Sequence, residues 1–136
     1  MDDKVAKLRT PKECESFARN ALDKGRPDLA TQAKQRAVEL RAAAYGAETD
    51  AERECLEAVY AYEEILSAKN GKRTRASRTW QMIKRHGIIA ATERAVDRPD
   101  ETSGYTALQE VGLGEYAFEA VIMRHPTLFS DTAVER

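Results

Sequence analysis

Seven basic side chains, Lys69, Lys72, Arg73, Arg75, Arg78, Lys84 and Arg85, fall between residues 69 and 86, with no acidic residue among them. Charge of one sign at this density binds anions, and a phosphate backbone is the extended anion it suits best. The residue types sharpen the expectation. On a helix over 74–86, Ala76, Trp80 and Ile83 share one side at three- and four-residue spacing, while Arg75, Arg78, Gln81 and Arg85 fall along the outer side. Arginine and glutamine are the side chains that pair with guanine and adenine edges in a major groove. Lys69, Lys72, Arg73 and Lys84 suit phosphates, which fix register rather than sequence, and Ser77 and Thr79 offer hydroxyls for the same purpose. With Ser77 as the helix cap, the first-turn amides would also face an anion.

The whole-chain balance conceals this segment. There are 22 basic and 23 acidic residues, a net charge of −1, so collecting seven cations in one stretch leaves the remainder acid-rich. The charge could also meet an acidic protein surface, or have no binding role, as a solvated face or paired with the chain's own acids, of which Glu52, Glu54, Glu57, Glu63 and Glu64 form a cluster just upstream. Tyr60, Tyr62 and Trp80 could line a small pocket beside the basic helix, suited to a modified base in a duplex, though their spacing equally fits core packing. Single-stranded RNA fits less well. Its readers splay bases onto exposed aromatic rings, and only 7% of this chain is aromatic.

Other chemistry is thinly represented. His86 and His125 are the two histidines, one ending a helix and one preceding Pro126, and both read as caps or surface groups. No H-x-x-x-H or C-x-x-C occurs, and Glu63 and Glu64, being adjacent, diverge on a helix. Cys14 and Cys55 stand at apolar helical positions and read as buried thiols of a reducing compartment. Gly112-Leu113-Gly114 lacks the preceding strand of a nucleotide-binding loop and reads as a corner between helices. The expectation is a non-enzymatic domain without metal or cofactor.

The elements that must position the basic segment are all helical. Thr10, Pro11 and Glu13 form a capping box ahead of Cys14, Phe17, Ala18, Ala21 and Leu22, and Gly25 stops that helix. Pro27 opens a second helix to Tyr45, with Leu29, Ala33, Ala37, Leu40 and Ala44 on one side, an alanine stripe made for close packing. Thr49 and Glu52 box the third, which buries Cys55, Leu56, Val59, Tyr62, Ile65 and Leu66 and ends at Asn70-Gly71. A fourth starts at Thr74 or Ser77 and ends at Gly87, led in by a flexible 69–73, and a fifth covers Ile88–Val96. After the polar loop 97–104 come short helices at 105–111 and 115–124, the second stopped by Pro126. No stretch alternates with period two, so no strand is expected.

The fold class expected is therefore all-α, a compact multi-helix bundle of six to seven helices in a single domain over residues 1–136. The ending "FSDTAVER" reads as a helix start capped by Ser130 or Asp131, which suits the N-terminal module of a longer protein, a targeting unit ahead of an effector. No apolar run is long enough to span a membrane and the first residues form no leader, so a cytoplasmic location is expected. The function expected is duplex-DNA binding through residues 69–86, possible modification reading included. The connection "SAKNGKRT" is too long for a standard helix-turn-helix. The alternative is a protein-interaction domain that docks an acidic partner or forms a homo-oligomer.

Overall fold

The computed structural model describes residues 2–96, 107–110 and 112–129, without the side chains of residues 95 and 96. The described residues are all-α, with no strand among them. They form two compact units, Met1–Gly46 and Ala47–Arg136.

The first unit is a helical hairpin with a short leader. Helix α1, Asp3–Ala6, was too short for the periodicity to reveal, yet it buries Val5 completely and is capped by Asp2, whose carboxylate accepts the Lys4 N–H at 2.8 Å. Helix α2 is Pro11–Asp23 and α3 is Pro27–Tyr45. The Thr10 hydroxyl accepts the Glu13 N–H at 3.1 Å, while the Glu13 carboxylate reaches one residue past the expected box to accept from the Arg9 N–H. The two helices meet through Ala18, Ala21, Ala30 and Ala33, with Phe17 and Leu29 at the seam's edge. Small side chains let the backbones approach closely, as the alanine stripe predicts. Ala33 and Ala37 of the expected stripe are buried, but the buried side also takes in Ala30, Val38 and Ala42, while Ala44 is exposed and Leu22 of α2 stands 54% exposed.

The second unit is organised around α4, Asp50–Asn70. The Thr49 hydroxyl accepts the Glu52 N–H at 3.1 Å and donates back to the Glu52 carboxylate. Ala51, Cys55, Leu56, Ala58, Val59 and Ala61 are buried along α4, whereas Tyr62, Ile65 and Leu66 are half-buried. Helix α5, Ser77–His86, is followed directly by α6, Ile88–Val96. Between them Gly87 has φ 88° and ψ 167°, a region open essentially to glycine alone, so the chain turns between two helices in one residue.

The C-terminal part packs against α4 and α6. A helical turn at 107–110 leads to the Gly112–Gly114 corner, closed by the Leu113 N–H donating to the Leu108 carbonyl at 2.8 Å. A 3-10 turn, Gly114–Tyr116, then precedes α7, Phe118–Arg124. This helix starts three residues later than the sequence suggests, because Ala117 is extended and caps it. Leu113, Tyr116, Phe118, Val121 and Ile122 are buried, completing the core around α4 together with Phe129. The expected polar loop at 97–104, the start of the helix at 105 and the terminal cap at Ser130 or Asp131 lie outside the described residues.

Candidate nucleic-acid interface

The basic segment is held in place by a single buried carboxylate. Glu63 lies on α4 at the position where the spacing of Leu56 and Val59 calls for an apolar residue, and its side chain is 3% exposed. Its Oε2 accepts from the Ala76 N–H at 2.9 Å and from the Trp80 Nε1–H at 2.6 Å. The same oxygen lies 3.7 Å from the Arg75 Nε, and Oε1 lies 3.9 Å from an Arg73 guanidinium nitrogen. One acid thus fixes the N-terminus of α5, its tryptophan and two of the seven cations. A buried charge is tolerated only where it is paired and hydrogen-bonded in this way.

The connection leading into α5 is pinned as well. Gly71 closes α4 at φ 70°, and Lys69 and Asn70 belong to the helix's last turn. The Thr74 N–H donates to the Ser67 hydroxyl at 2.8 Å, and Asn70 donates to the Thr74 hydroxyl. Arg73 reaches Glu64 at 3.0 Å. The segment expected to be a flexible lead-in is therefore tied to α4 by four side chains, Glu63, Glu64, Ser67 and Asn70.

The two sides of α5 differ sharply. Ile83 and Ala76 are buried and Trp80 and Thr79 half-buried, while Ser77, Arg78, Gln81, Lys84 and Arg85 are exposed and fall on one side at helical spacing. Among the described residues no ion pair holds Arg78, Lys84, Arg85, Lys69 or Lys72. Arg75 is different. It is 66% exposed, yet it lies 5.1 Å over the Trp80 ring and beside Glu63. Ser77 is the first helical residue rather than the cap. Ala76 holds the cap position without a side-chain bond, and the Glu63 carboxylate stands where an external anion was expected.

The expected aromatic group is only partly assembled. Tyr60 and Trp80 pack at 5.2 Å between centroids, tilted by 56°, with the indole N–H already spent on Glu63. Tyr62 is two positions from Tyr60 and so projects from a different side of α4.

The remaining acids of the upstream cluster serve elsewhere. Glu57 pairs with Arg53 at 3.5 Å, and Glu52 completes the Thr49 cap. Glu54 accepts from Arg124 at 2.6 Å and contacts His125 Nε2, tying the end of α7 to α4. Burial pushes the Glu54 carboxyl up, but the hydrogen bonds from His125 and Arg124 outweigh it and hold the group below the usual carboxylate range. His125 is thus a tie between elements, and His86 is exposed at the end of α5. Cys14 and Cys55 are buried free thiols. Burial raises both, Cys55 to about 11 despite its hydrogen bond with Thr92. Among the described residues no group of three or more His, Cys, Asp or Glu side chains could hold a metal ion, and no helix is long and apolar enough to cross a membrane.

No protein-family model, curated protein or solved structure matches this chain.

Proposed function

We propose that this protein binds duplex DNA through α5 and the end of α4. The observation that carries the reading is the division of labour within the basic segment. Arg73 and Arg75 are turned toward the acids of α4, while Ser77, Arg78, Gln81, Lys84 and Arg85 form an exposed ridge on a helix anchored from behind. Lys69 at the end of α4 and Lys72 just after it are exposed ahead of the ridge and suit phosphates.

The test is fluorescence anisotropy with a labelled duplex of about 30 base pairs at several salt concentrations. With Lys69, Lys72 and Lys84 each neutralising about one phosphate, log affinity falls against log salt with a slope on the order of −3. Lys69→Ala/Lys72→Ala reduces that slope by about 2. Absence of binding even at low salt defeats the reading and turns attention to an acidic protein partner.

A further inference from the structure

We infer that α5 selects sequence as well as charge, binding duplexes that present guanine and adenine edges to the major groove within about four consecutive base pairs. The inference rests on the DNA-binding reading above. Its starting point is Gln81. An uncharged amide releases no counterion from the phosphate backbone, yet it stands exposed in the middle of the ridge, three residues after Arg78 and four before Arg85. Gln reads adenine and Arg reads guanine, each by two hydrogen bonds whose geometry a flexible support would blur.

The support here is firm. Behind the ridge, Trp80 and the start of the helix are both bonded to Glu63, and Ile83 is buried. Register follows from helix geometry. Gln81 stands about 4.5 Å and Arg85 about 10.5 Å along the axis from Arg78, at about 1.5 Å per residue. Against base pairs about 3.4 Å apart, these are about one and three steps. The pattern expected is a guanine, an adenine at the adjacent pair, and a second guanine two pairs further on. Arg73 and Arg75 take no part in reading, because they face Glu63 and Glu64 and Arg75 also covers Trp80.

The experiment is selection of duplexes with a randomised core by the full chain, followed by anisotropy on selected and scrambled probes. The expected result is enrichment of guanine and adenine at this spacing, with about tenfold tighter binding per matched pair. Gln81→Ala then flattens the preference at the adenine position alone and leaves the salt slope unchanged. Arg78→Lys keeps the charge and the slope but loses one guanine preference. Arg75→Ala leaves the base profile as it was. Binding without sequence preference, or a preference that survives Gln81→Ala and Arg78→Lys, overturns the inference while leaving the electrostatic reading intact. No binding at any salt removes both.

Discussion

Glu63→Ala is the perturbation that strikes the basic helix at its root. The substitution deletes the acceptor of two hydrogen bonds, from the Ala76 N–H at 2.9 Å and the Trp80 Nε1–H at 2.6 Å. Bonds to a charged group contribute about 1.5–3 kcal/mol each, and the Ala76 N–H is left buried without a partner. The pairs with Arg73 and Arg75 add little, since those side chains are 40% and 66% exposed. Against these losses stands relief from holding a carboxylate 3% exposed, so the expected net cost is about 3–5 kcal/mol. Glu63→Gln keeps a carbonyl in place and costs about 1–2 kcal/mol, because neutral bonds are roughly half as strong. Urea unfolding measures both, followed by circular dichroism and by the fluorescence of Trp80, the single tryptophan. A double-mutant cycle with Trp80→Phe isolates the indole bond, with an expected coupling of about 1–3 kcal/mol. A cost below about 1 kcal/mol for Glu63→Ala, or a coupling near zero, would refute the claim that this carboxylate anchors α5.

Other features of the chain are open to equally direct measurement. Glu54 has a folded-state pKa below its unfolded value, so its stabilisation is fully present above the unfolded pKa and is lost as pH falls through the folded one. Glu54→Gln should therefore lower stability by about 1 kcal/mol at pH 7, and thermal melts should show the gap closing below about pH 4. Ala33, fully buried in the seam with Ala18, Ala21 and Ala30, leaves no room for a larger side chain; Ala33→Leu should cost about 1–3 kcal/mol in urea unfolding. Cys14 and Cys55, buried and with raised pKa values, should both resist a thiol-specific chromogenic reagent at pH 8 in the folded protein and react fully in urea.

Much of the helical framework was legible in the sequence because its signals are local. Thr10 with Pro11, Thr49 with Glu52, and glycines 46, 71 and 87 act through hydrogen bonds and dihedral angles within about one turn. Such features do not depend on what packs nearby. Where local preference and packing compete, packing decides: the apolar end of α4, Ile65 and Leu66, is only half-buried, and α7 waits until Phe118 because Ala117 is extended.

The composition of residues 69–86 established an acid-free, basic segment with one side able to face inward. Which of its cations remain available was decided by the tertiary structure alone. Arg73 and Arg75 find their acids nine and twelve residues back along the chain, on α4, because the connection through Ser67, Asn70 and Thr74 folds the segment against that helix. An acid that far upstream has no fixed direction until the path between them is set. A charged residue on the apolar stripe of α4 was the one sequence signal of that anchor, since a carboxylate enters a core only where donors are waiting for it.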